Sequence, residues 1–146
     1  LFTDKVVYNL DREGYILHFN SALQIWQTNK IFGFGIKSFR FNCTYGVGQT
    51  CATHPHNYYL EILLDTGVVG LTLILLILVY SIFNFFNFYR YSSSANLKFF
   101  SIPFFIVFIL EFLPLRSSGS FFTTNNAAII FLMLAVIVGI SSYKKS

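Results

Sequence analysis

The sequence predicts an all-α integral membrane protein: an outer loop region with amphipathic helices, followed by about three transmembrane helices. Three observations carry this. Of 146 residues, 55% are hydrophobic, 20% aromatic and only 11% charged, more apolar surface than a soluble domain of this length has an interior to hide. Apolar runs approaching the thickness of a bilayer recur through the second half of the chain. The basic residues are spread unevenly between the segments that join those runs. The same composition sets nucleic acid aside, since the net charge of +4 is modest and no Lys/Arg run forms a binding arm.

Residues 1–57 form the expected outer region. Asp4 and Lys5 interrupt any signal-peptide pattern, and the chain reads as the C-terminal part of something longer. Residues 15–30 predict an amphipathic helix, with Tyr15, Phe19, Ala22 or Leu23, and Trp26 at helical spacing. That stripe is expected to pack on the protein or on the interface. Gly33-Phe34-Gly35 ends the pattern and starts a loop. It is no dinucleotide fingerprint, because the third glycine and the preceding strand are missing.

Residues 58–146 form the expected membrane region, with spans near 68–88, 99–113 and 124–142. Residues 68–86 hold no charge. At about 1.5 Å per residue they cross a hydrocarbon core of about 30 Å. The second run, 99–113, is short, carries Glu111 near its end and is stopped by Pro114. The third, 127–140, reaches spanning length when residues 123–126 and 141–143 extend it. The loop between the first two runs holds Arg90 and Lys98, and the tail holds Lys144 and Lys145, whereas 114–126 holds only Arg116. The positive-inside rule then makes the first loop and the tail cytoplasmic, and puts 1–57 and 114–126 together on the outer face.

The densest chemistry lies in His54-Pro55-His56-Asn57, which leads through YYLEILLDTG into the first apolar run. Polar residues are expensive beside lipid, so a helix mouth that collects them has a use for them, and a substrate met there is itself membrane-bound. Pro55 suits the first turn of a helix, which would put His56 at a helix N-terminus, where the dipole disfavours imidazolium. A neutral imidazole can take a proton from an attacking hydroxyl; capping the helix is the plainer use. Asn57 and Glu61 are four apart and share a face. Gly67 fits a C-cap or a close helix crossing, with Gly70 one turn on.

His56-Asn57, nine residues, Gly67, two residues, Gly70 resembles the H-[NSQ]-x9-G-x-x-[GTY] signature of the O-antigen ligase family. These are polytopic bacterial inner-membrane proteins, and the wider family includes O-antigen polymerases and protein O-oligosaccharyltransferases. The stretch IFGFGIKSFR, from Ile31 to Arg40, resembles the family's "fGxGxxxFR". The stretch PLRSSGSFF, from Pro114 to Phe122, resembles its "P…sGsFF" turn. The resemblance covers most of residues 15–140 and implies a C-terminal fragment of a longer chain.

The resemblance implies transfer of a glycan from a polyprenyl-diphosphate donor to an acceptor hydroxyl, on lipid A-core or on another glycan, at the periplasmic face. Members resemble metal-independent, inverting transferases, so neither cofactor nor metal is expected. His56 matches the family's functional histidine. Arg40, with Lys37 as companion, is the expected grip on the diphosphate, because guanidinium holds phosphate bidentately; a solvated loop charge is the bland reading of both. Asn57 orients His56 or caps the helix. Glu61 and Glu111 are secondary candidates; Arg116 either pairs with Glu111 or faces the diphosphate. His18 reads as a surface or interface residue and His54 as a bystander. Cys43 and Cys51, on an oxidising face, point to a disulfide. With His54 and His56 they also spell a C-x7-C-x2-H-x-H zinc set, ranked lower because the spacing is unfamiliar and Pro55 restricts the two histidines. A transporter or scaffold whose histidines bind a solute is the rival from another class.

Overall fold

The computed structural model describes residues 16–43, 52–114 and 116–142, and among these every regular element is helical. Residues 16–26 form α1. Then come α2 (Phe39–Asn42), α3 (Tyr58–Tyr91), α4 (Ala95–Glu111) and α5 (Thr124–Ser142). The chain divides into two compact units, Leu1–Leu71 with Ser117–Phe122, and Thr72–Arg116 with Thr123–Ser146.

In the first unit, α1 is shorter than the apolar periodicity over 15–30 predicts. The chain leaves the helix after Trp26, and the reason is side-chain competition for the backbone. Thr28 Oγ1 donates to the Ile25 carbonyl at 2.7 Å, and Trp26 Nε1 donates to the Lys30 carbonyl at 3.1 Å. Asn29 Nδ2 donates to the Gly33 carbonyl, and the Gly33 amide returns to the Asn29 carbonyl at 3.2 Å. Ala22, Phe39 and Leu64 form a small core that fixes α1, α2 and the start of α3 together.

The long helix α3 is broken at Gly67, whose φ of 68° and ψ of −168° are not helical. The break admits the loop after α1. The Val68 amide donates to the Lys30 carbonyl at 2.9 Å and the Val69 amide to the Ile31 carbonyl at 3.3 Å. In return the Phe34 and Gly35 amides donate to the Leu64 and Asp65 carbonyls at 3.0 and 2.8 Å. Two backbones can lie this close only without side chains between them. A Cβ on Gly33 would stand 2.5 Å from the Leu64 oxygen, and one on Gly67 would run into the Ile31 carbonyl. Gly70 does not sit at such a crossing: a Cβ there meets the Thr66 side chain of its own helix.

In the second unit, the Phe85 and Phe105 rings stack with centroids 3.7 Å apart, and α4 packs against α5. Ser94 caps α4 by accepting from the Leu97 amide at 3.4 Å. The helix starts earlier and ends earlier than the 99–113 expected, closing at Phe112 before Pro114 is reached. Two helices, Tyr58–Tyr91 and Thr124–Ser142, are long and apolar enough to cross a membrane. α4, with 17 residues, falls just short of that length.

Candidate functional site

The mouth of α3 is built differently from a proline-started helix. The helix begins at Tyr58, so Pro55 lies ahead of its first turn. Asn57 caps it: Oδ1 accepts from the Leu60 amide at 3.1 Å. His56 precedes the cap in a left-handed conformation, φ 56°, which a residue with a Cβ adopts at a cost. What holds it there is the turn 117–122, whose Ser118 amide donates to the His56 carbonyl at 3.0 Å.

That turn is itself clamped by Glu61, one helical turn inside α3. Ser120 Oγ donates to Oε1 at 2.5 Å and the Phe121 amide to Oε2 at 2.6 Å. Glu61 is 2% exposed, so the bonds are made out of water. Phe121 then packs edge-on against Tyr58, centroids 5.5 Å apart. Glu61 therefore works as a structural clamp on the segment that sets the His56 backbone.

The next carboxylate on the same face, Asp65, was not among the residues expected from sequence. It is 1% exposed. Its oxygens accept from the Lys37 amide at 2.6 Å, the Ser38 amide at 3.1 Å and Ser38 Oγ at 2.7 Å. The Lys37 backbone is left-handed, φ 61°. Asp65 thus fixes the loop that carries Lys37 and starts the α2 turn bearing Arg40. The signal was present as a second carboxylate four residues after Glu61.

Around His56 stand two further imidazoles. The His54 ring centroid is 4.3 Å away and that of His18, from α1, 5.5 Å. His18 also meets the Phe39 ring edge-on at 6.4 Å. His54 and His18 are thus neighbours of His56 in space. Burial lowers the proton affinity of His56 below the ordinary value of 6.5; His54 and His18 lower it further, and the Ser118 backbone opposes them. Burial likewise lowers His54, with the Ser118 backbone opposing and His18 adding. The neutrality expected of His56 has burial as its main cause, with no helix dipole required. Thr53 Oγ1 lies 2.9 Å from His54 Nδ1. His54 Nε2 and Ser118 Oγ are buried with no well-formed hydrogen bond among the described residues. Among those residues no set of three ligating side chains has metal-binding geometry.

The cations are placed less tightly. Lys37 and Arg40 are both exposed. The Lys37 ammonium acts electrostatically on Glu61, and the Arg40 guanidinium rests 4.5 Å from the centroid of the Phe41 ring. In the second unit, Arg116 pairs with Glu111 at 2.5 Å and donates to the Leu110 carbonyl at 3.3 Å. Cys43 is bound in a disulfide, which withdraws its thiolate from the zinc set considered above; Cys51 lies outside the described residues.

Residues 11–75 match the model of the O-antigen ligase family. The match takes in α1, the glycine loop, α2, the histidines and the start of α3. No curated protein and no solved structure matches the chain.

Proposed function

We propose that this chain, whose residues 11–75 match the model of the O-antigen ligase family, contributes the acceptor-activating site of a membrane glycosyltransferase. The donor is a glycan on a polyprenyl diphosphate; the acceptor is a hydroxyl of lipid A-core or of another glycan. The reaction takes place at the periplasmic face of the bacterial inner membrane. α3, α4 and α5 serve as three spans, α4 reaching the interface through the residues that follow it.

The acceptor oxygen attacks the anomeric carbon as the bond from that carbon to the diphosphate oxygen breaks. The hydroxyl proton passes to His56, and the lipid diphosphate leaves with the bonding pair. Arg40 and Lys37 neutralise the charge that develops on the leaving group. Asn57 fixes the helix start beside His56, and Arg116, already paired with Glu111, has a structural part. The single observation that carries this reading is the state of His56: a histidine held in a strained backbone conformation, among imidazoles, with its neutral form favoured. A neutral base next to a membrane mouth suits a hydroxyl-activating role.

The test is His56→Ala in the full protein. Glycan transfer should fall by at least about a hundredfold, the usual contribution of a general base, while membrane insertion is unchanged. Undiminished capped lipopolysaccharide or polymer in that variant would refute the assignment and return the histidines to the solute-binding reading.

A further inference from the structure

We propose that residues 30–41 form a lipid-docking surface, whose apolar side chains enter the interfacial layer of the bilayer and whose Lys30 takes an anionic phospholipid headgroup. The inference rests on reading α3 as a membrane span. Ile31 is 59% exposed, Phe32 72%, Ile36 64% and Phe41 74%. Large apolar side chains so concentrated on a short segment mark a contact surface.

This segment is not free to choose its level. The Lys30 and Ile31 carbonyls are bonded to the Val68 and Val69 amides. Gly33 and Gly67 let the two backbones touch, and the Trp26 indole closes on the Lys30 carbonyl. The apolar run of α3 begins at Val68, which is 46% exposed itself. Ile31 and Phe32 are thus tied by backbone hydrogen bonds to the residue at which a span would leave the headgroups. Side chains at that level meet the boundary between headgroup and hydrocarbon, where amphipathic rings such as that of Trp26 collect.

Charge selects the occupant. Residues 30–41 contain Lys30, Lys37 and Arg40 and no Asp or Glu, and all three cations are exposed. Cations interleaved with inserted apolar groups are the pattern of a surface that lies on anionic lipid. A cover made of another apolar protein segment would leave Lys30 without a counterion.

The experiment places a photoreactive benzophenone amino acid at position 32, 41 or 77 of the full protein. The variants are reconstituted into vesicles of phosphatidylethanolamine and phosphatidylglycerol. Ile77, 51% exposed and in the middle of the uncharged run, is the control for the span. Phospholipid adducts at positions 32, 41 and 77 are expected. In a Lys30→Gln background the phosphatidylglycerol share of the adducts at 32 should fall by up to about fivefold. Polypeptide adducts at 32 and 41, with lipid adducts retained at 77, would overturn the docking surface alone. An absence of lipid adducts at 77 would overturn the span and this inference with it. An unchanged phosphatidylglycerol share in the Lys30→Gln background would overturn the headgroup contact.

Discussion

Replacing Asp65 by alanine should release the loop between α1 and α2 while leaving the rest of α3 helical. The carboxylate is buried and accepts two backbone amides and one hydroxyl, from Lys37 and Ser38. A hydrogen bond to a charged group contributes about 1.5–3 kcal/mol, and a buried donor left unpaired costs about 1–3 kcal/mol. The Ser38 hydroxyl can turn to a new acceptor, and the Lys37 amide lies in an exposed residue that water can reach. The Ser38 amide is buried and has neither escape. The loss therefore falls at about 2–5 kcal/mol, expressed as local opening of residues 27–43. Trypsin reports it, because Lys30, Lys37 and Arg40 lie in that segment. Where cleavage follows the open population, about 2 kcal/mol speeds it roughly 30-fold. Asp65→Asn keeps an acceptor oxygen but sets an NH2 against one donor, so it should fall between alanine and the parent. Ser38→Ala removes only the hydroxyl bond and should cost about 1 kcal/mol. If Asp65→Ala is cut no faster than the parent protein, the carboxylate is not what holds the loop.

The glycines separate by what surrounds them. Gly67→Ala and Gly33→Ala meet opposing backbone as well as a positive φ, whereas Gly35→Ala, φ 94° with nothing within 4 Å, costs only the conformational term of about 1–2 kcal/mol; thermal unfolding in detergent should rank them so, and equal losses would argue against the close crossing. Glu61→Ala should free the turn 117–122 at a cost of about 2–4 kcal/mol, against at most about 1 kcal/mol for the partly exposed ion pair lost in Glu111→Ala. Exchange of the Ser118 amide is the readout for Glu61, and unchanged protection there would remove its clamping role. The lowered His56 value has a definite sign: the neutral form is favoured by the fold, so base function and the associated stability are complete above pH 6.5 and are lost as pH falls through the lower folded value. The acid limb of kcat/KM, which reports the free enzyme, should therefore lie below 6.5, and His18→Gln or His54→Gln should move it upward; a limb at or above 6.5 in the parent protein, or one that neither variant moves, contradicts the cluster.

Much of the site was readable along the chain, but not its connections. The glycine loop, the histidine pair, the Asn57 cap and the apolar run each announce themselves by composition and local spacing, and local spacing governs helices, caps and turns. His18 carries no such mark: it becomes a neighbour of His56 because the Ala22–Phe39–Leu64 core brings α1 against α3. The role of Asp65 has no local signature, because its partners, Lys37 and Ser38, lie 28 and 27 residues away. The expected first-turn Pro55 failed for a local reason, since Asn57 is the better cap and the helix starts after it.

By itself the sequence determined a strongly apolar chain, helical in its described residues, with a polar cluster at the mouth of its longest uncharged run. Those features follow from side-chain hydrophobicity and from periodicities of a few residues. Only the tertiary structure decided how that mouth is held. It broke α3 at Gly67 so that the glycine loop could dock, and it spent Glu61 and Asp65 on fixing two loops. It also set His56 between two other imidazoles. The physical reason is the same in each case: a buried carboxylate, an exposed-backbone crossing or a ring cluster is stable only when its partners arrive from distant parts of the chain, and no local pattern names those partners.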